Sequence, residues 1–208
     1  AAYGITTSIN GSCGFSMAPM SATRDLRQDV TDIYNYFEDV PERPMIESIP
    51  WDWRTWGEYR VSCEQKVRTP VNFAAFCGHV TLRLAVMGED AWTRVATEAE
   101  IVAMCGLLDE ALASGALGLS TNLLDYDKQE RPLPPMVADD DEWLALMRVV
   151  QRYPNAVMQV PTDNLMRRTG IESAKRMGRL LREVPVRMQI AGLPPTLIFQ
   201  EDILPELE

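Results

Sequence analysis

The chain has 208 residues, 46% of them apolar and 24% charged, with 12 glycines and 14 prolines. That balance belongs to a globular protein and excludes disordered and collagen-like classes; the length suits one large domain that buries its core without disulfide or metal staples. The formal net charge is −10, a field that repels phosphate backbones and anionic lipid, so neither nucleic acid nor a membrane is expected as a partner.

No run of about 18 apolar residues offers a transmembrane helix. The opening stretch, Ala1-Ala2-Tyr3-Gly4-Ile5-Thr6-Thr7, has no basic flank, no signal-peptide core and no initiator Met. It is expected to lie inside a longer protein. Residues 4–10 (GITTSIN) are β-branched and predict a strand. Leu26, Val30, Ile33 and Phe37 share one side of a helix over 23–39. The passage from Pro41 to Pro50 is expected to be irregular. Residues 52–67 predict a helix, and the apolar run Val71–Phe76 a strand. Over 98–114, Ile101, Met104, Cys105, Leu108 and Leu112 form one helical stripe. Thr97 and Glu100 make a capping box at its start, and Gly115 a C-cap. A strand over 116–120 follows. The next helix, 139–153, carries Asp139, Asp140, Asp141 and Glu142 at its N-terminus, where the helix dipole favours negative charge. Strand 156–160, helix 170–183 and strand 185–190 complete the series; 194–208 shows no period.

Helices alternating with short, nearly continuous apolar strands predict parallel βα units. About five are visible, too few to close a (β/α)8 barrel. Two architectures fit: an open doubly wound sheet, or a partial (β/α)8 TIM-type barrel. Neither GxGxxG after a strand nor GxxxxGK[ST] occurs. Cys13, Cys63, Cys77 and Cys105 form no CxxC, a pattern that predicts reduced thiols and a cytoplasmic setting.

Ligands of βα folds bind at the carboxyl ends of strands. That rule selects Gly11–Ser16, Cys77–Arg83, Thr121-Asn122 with Asp125-Tyr126-Asp127, then Gln159 with Thr162-Asp163-Asn164, and Ala191-Gly192. Cys13, between two glycines, reads as a metal-bound thiolate, as a nucleophile, or as a small core hydrophobe. His79 is the only histidine. A complete His-based zinc site therefore does not fit within this chain; His79 reads as a substrate contact, as a group supporting ligands, or as a loop residue bonded to backbone. Asp139–Glu142 read most simply as helix N-terminal charges. Trp51, Trp53 and Trp56 read as packing, and Arg83 as a carboxylate clamp or a surface ion pair.

Three segments carry a resemblance: GITTSINGSCGFSMAP at 4–19, VNFAAFCGHVTLRLAVMG at 71–88 and TEAEIVAMCGLLDEALASGALGLST at 97–121. In order and spacing they resemble the N-acyl-D-amino-acid deacylases (D-aminoacylases) of the amidohydrolase superfamily. The resemblance implies the central portion of an amidohydrolase barrel over 1–193, an irregular tail over 194–208, and a small β-domain from the ends of the parent chain. It implies zinc or another divalent metal, with Cys13 of the GSCGF loop as a ligand, and metal-dependent hydrolysis of a small-molecule N-acyl amino acid or related amide. His79, Asn122 and Asp125, at the strand tips, are the expected substrate contacts, with Asp125 near the place where the family has a substrate-contacting Tyr. The family's HxH pair falls before residue 1 and its catalytic Asp after residue 208. Two further zinc histidines fall near Val160 and Ile190, which have no lone pairs, so the metal is expected to be weakened or lost, with Asp163 or Gln159 as replacement polar groups. The alternative is a non-catalytic ligand- or partner-binding barrel. Raw strand edges predict homo-oligomer contacts or contacts with missing parts of the parent chain.

Overall fold

Short strands arise where β-branched and small apolar residues follow a helix and a tight turn, and each is buried only when another strand lies beside it. The computed structural model describes residues 3–123, 125–161 and 168–191. Its strands are β1 (Thr7–Asn10), β2 (Asn72–Ala75), β3 (Cys77–Gly78), β4 (Gly118–Ser120), β5 (Val157–Pro161) and β6 (Met188–Ala191). Its helices are α1 (Arg27–Glu38), α2 (Glu42–Ser48), α3 (Trp56–Lys66), α4 (His79–Met87), α5 (Glu98–Ala113), α6 (Pro134–Val137), α7 (Asp140–Gln151) and α8 (Arg168–Glu183), with a 3-10 turn over Gly88–Trp92 between α4 and α5.

Every strand pair is parallel. β1 pairs with β2, and β3, β4, β5 and β6 pair in that order. Only Phe76 separates β2 from β3. Its N–H donates to Asn10 O at 3.0 Å, while Leu117 N–H donates to Ala75 O at 2.9 Å, so one strand run joins the two sheets. Spatial order therefore follows chain order throughout. A doubly wound sheet reverses direction at a switch point; this one never does, and the arrangement is an arc of a (β/α)8 barrel. On its outer side α3 and α7 pack on α5, α4 on α5, and α8 on α7. Leu82, Met104, Leu108, Leu119, Leu146, Met147 and Met158 lie fully buried in the layer between strands and helices, each worth about 1.5–3 kcal/mol in apolar burial.

Two expectations need correction. The 41–50 passage is not irregular, because α2 runs through it: Pro41 is the N-cap and Pro44 sits in the first turn, where a missing N–H costs nothing. Nor is His79 a loop residue bonded to backbone, since α4 begins at it directly after β3 and its ring bonds side chains. The 98–114 expectation holds to its caps, with Thr97 accepting from Glu100 N–H and the Glu100 carboxylate accepting from Thr97 N–H. Thr97→Ala is expected to lower stability by about 1 kcal/mol, read as a lower urea midpoint at unchanged slope. The 194–208 tail lies outside the described residues.

Candidate functional site at the strand tips

After β1 the chain turns sharply through Gly11 (φ +77°) and Gly14 (φ +84°). A Cβ on Gly14 would sit 2.9 Å from Asn122 N, so the turn is pressed against the residues that follow β4. It is also fastened to the start of α4. Gly78 N–H donates to Ser16 Oγ at 2.9 Å, Val80 N–H donates to Gly14 O at 3.2 Å, and Thr81 Oγ1 donates to Ser16 O at 2.9 Å. The turn thus caps the helix that has no polar cap of its own.

Three of the expected site residues meet here. Asn122 Nδ2 donates to Cys13 O at 3.1 Å and to Asp125 Oδ2 at 2.7 Å, and Asp125 N–H donates to Asn122 Oδ1 at 3.1 Å. The Cys13 side chain is half-buried and lies beside Glu38 of α1. Burial pushes its thiol up to about 11, with the Glu38 charge adding to that and the Phe15 N–H opposing it. A nucleophile needs a lowered value, and nothing among these neighbours supplies one.

His79 is placed differently. It is fully buried, with Nδ1 3.1 Å from Thr121 Oγ1 and Nε2 2.7 Å from Glu142 Oε1. The ring stands edge-on to Trp143, centroids 5.1 Å apart. Glu142 is itself fully buried and ion-paired to buried Arg83. Arg83 also donates to Ala91 O at 3.2 Å and Arg94 O at 2.8 Å. This relay corrects two sequence readings. Asp139 caps α7 by accepting from Glu142 N–H at 3.0 Å, but the Glu142 side chain turns into the core rather than serving as a surface charge, and Arg83 is no surface ion pair. The signal available was the i, i+4 spacing of His79 and Arg83, which places both on one helix face.

Burial lowers the His79 value and outweighs Glu142, which pulls the other way; Arg83 and Arg176 lower it further. Burial pushes Glu142 up, but its bonds to His79 and Arg83 prevail and hold it low. The ring is therefore neutral, with Nε2–H donating to the Glu142 carboxylate and Nδ1 accepting from Thr121. Both folded values lie below the unfolded ones, so their contribution is complete above about pH 6.5 and is lost as pH falls. Melting temperature is expected to drop on acidification from about pH 7 to 5, and His79→Gln to remove the part of that drop beginning near pH 6.5; a flat wild-type profile would contradict the neutral-ring assignment.

Strand parity sorts the remaining candidates. Gly78, Ser120, Gln159 and Gln189 are in register across β3 to β6, and in-register residues of parallel neighbours share a face. A Cβ on Gly78 would meet Gly14 O at 2.6 Å, so this is the face that carries the Cys13 turn. Val160 and Ile190, in register with each other, point the opposite way; Val160 belongs to the apolar core. Gln159 and Ser120 are fully buried, and Gln159 Oε1, Gln159 Nε2 and Ser120 Oγ have no hydrogen-bond partner among the described residues. Such groups cost about 1–3 kcal/mol each to leave unpaired. Thr162, Asp163, Asn164 and Gly192 lie outside the described residues.

Among the described residues no group of three His, Cys, Asp or Glu side chains is placed to hold a metal ion. Cys13 is a lone thiol, the single histidine is committed to Thr121 and Glu142, and Val160 offers no donor. These residues do not fit a zinc or other divalent site by themselves.

No family model matches the chain. It is 38% identical over 120 residues to the N-acyl-D-aspartate deacylase of Alcaligenes xylosoxydans xylosoxydans, a match over 57% of this chain and 20% of that protein. A crystal structure of D-aminoacylase, described as defining a novel subset of amidohydrolases, superposes with a TM-score of 0.61 at 27% identity over 90% of this chain and 34% of its own. N-acyl-D-glutamate deacylase from Bordetella bronchiseptica, complexed with zinc and a phosphonate inhibitor, shares the fold with a TM-score of 0.67 at 24% identity over 90% and 34%. The chain spans about a third of the length of the relatives it matches most fully.

Proposed function

From its likeness to the D-aminoacylase amidohydrolases, we propose that this chain supplies one wall of a site that hydrolyses carbon–nitrogen amide bonds. The substrate class is a small N-acyl amino acid or related amide. The observation that carries this reading is the meeting of Cys13, Asn122 and Asp125 at the strand tips of a barrel arc. Asn122, held between Cys13 O and Asp125, fixes the Asp125 carboxylate to accept a substrate N–H. His79 supports that edge from behind through Thr121. Cys13 would be one donor to a zinc or other divalent ion, whose chemistry is to activate water; one donor is too few, and the remaining groups come from outside the described residues. A second reading, a non-catalytic ligand-binding relative, is favoured by Val160 standing in the apolar core near where the resemblance places a histidine.

The test is hydrolysis of N-acetyl-D-amino acids by the full-length protein, with and without chelator. Turnover supports the hydrolase, and ligand binding without turnover supports the second reading. No helix of the described residues is long and apolar enough to cross a membrane. The four cysteines are free, which supports a reducing, cytoplasmic setting. Ile9 and Phe73, on β1 and β2, are 55% and 46% exposed. β1 is the outermost strand of the arc, and its exposed Ile9 supports contacts with a second copy or with further parts of the parent chain, read as concentration-dependent sedimentation of the 208-residue chain.

A further inference from the structure

We propose that Ser120 and Gln159 form a subsite that receives one neutral amide group of a ligand. The two are in register on adjacent strands and share the face that carries the Cys13 turn. Both are fully buried, and three of their polar atoms, Ser120 Oγ, Gln159 Oε1 and Gln159 Nε2, find no partner among the described residues. The next residue in the row, Gln189, is exposed.

The chemistry of the atoms selects the ligand. A carboxamide side chain presents both an acceptor and a donor, and the hydroxyl can serve as either. An amide offers the complementary C=O and N–H. A carboxylate accepts only and would leave Gln159 Oε1 without a donor, and a metal ion would meet no anionic ligand among these atoms. The identity of the amide-bearing ligand rests on the amide-hydrolase reading; the binding does not.

The test uses the 15N-labelled 208-residue chain titrated with N-methylacetamide, and separately with acetate. The readouts are the Gln159 side-chain amide signals, assigned by their loss in Gln159→Leu, and the Ser120 backbone amide. N-methylacetamide is expected to shift them saturably, acetate to leave them unmoved, and Ser120→Ala to weaken the affinity at least tenfold. Gln159→Leu should weaken it further, read at Ser120. Because both substitutions remove unpartnered atoms, neither variant should melt lower than wild type; Ser120→Ala, the smaller change, carries the test if Gln159→Leu does not fold. Absence of a saturable shift, an equal response to acetate, or unchanged affinity in Ser120→Ala would overturn the proposal and assign these atoms to buried water. Saturable binding with no hydrolysis by the full-length protein leaves the subsite standing and removes the hydrolase reading. Hydrolysis of N-acetyl-D-amino acids at an unchanged KM in Gln159→Leu does the reverse.

Discussion

Glu142→Gln is expected to destabilise the protein by about 3–5 kcal/mol, the cost of leaving one member of a buried ion pair without its counter-charge. The substitution keeps the shape of the side chain and removes only the charge. Arg83, fully buried, would then retain its carbonyl bonds to Ala91 and Arg94 but nothing to neutralise it. His79 would face a carboxamide that can still accept from Nε2–H, so the ring should stay in place while the guanidinium does not. The double variant Arg83→Met with Glu142→Gln removes both charges and is expected to cost less than Glu142→Gln alone. Urea unfolding of the three proteins measures this. A loss below about 1 kcal/mol in Glu142→Gln would mean that the pair is hydrated and that the relay does not hold α4 to α7.

Gly14→Ala should cost a similar amount for a different reason. At φ +84° an alanine pays about 1–2 kcal/mol in backbone strain. Its Cβ would lie 2.9 Å from backbone atoms of Thr121 and Asn122, neither of which can rotate away. Overpacking of this kind adds about 1–3 kcal/mol. The turn would lift from β4, stretching the Asn122–Cys13 bond and opening the thiol to solvent, so labelling of Cys13 by a maleimide should speed up alongside the fall in stability. Gly106→Ala is the control. It lies in α5 with nothing within 4 Å of the added methyl and should be neutral or stabilising by up to about 1 kcal/mol. Equal effects at the two glycines would remove the argument that the turn is clamped against β4.

How much of this was readable in the sequence depends on whether the physical cause was local. The box of Thr97 and Glu100 is local, and α5 followed from it. The start of α4 is not: its first N–H groups are satisfied by Gly14 and Ser16, more than 60 residues earlier in the chain. A helix capped from so far away shows no start signal, and the run from Val80 to Met87 is interrupted only by Thr81 and Arg83, both buried, so no polar face marks it. Glu142 occupies the place where a carboxylate ordinarily serves the helix dipole, and only its pairing with His79 and Arg83 of α4, distant in the chain, turns it inward. Cys13 was visible as a thiol in a glycine turn, but its raised value comes from burial, with Glu38 of α1 adding to it, and no spacing rule reveals either. The likeness of the GSCGF and GLST segments to deacylases carried the fold correctly, while the strand parity that puts Val160 on the helix side and Gln159 on the face of the turn needed the register itself.

Whether the Cys13 turn borders an amide-cleaving pocket, as proposed, is decided by hydrolysis of N-acetyl-D-amino acids by the full-length protein and its Cys13→Ala variant, both confirmed as folded by their melting curves. The expected result is turnover by the wild type and a loss of at least about 100-fold in the variant, equivalent to about 2.7 kcal/mol of transition-state stabilisation. Equal rates in the two proteins, or a folded wild type that cleaves none of these amides, would contradict it.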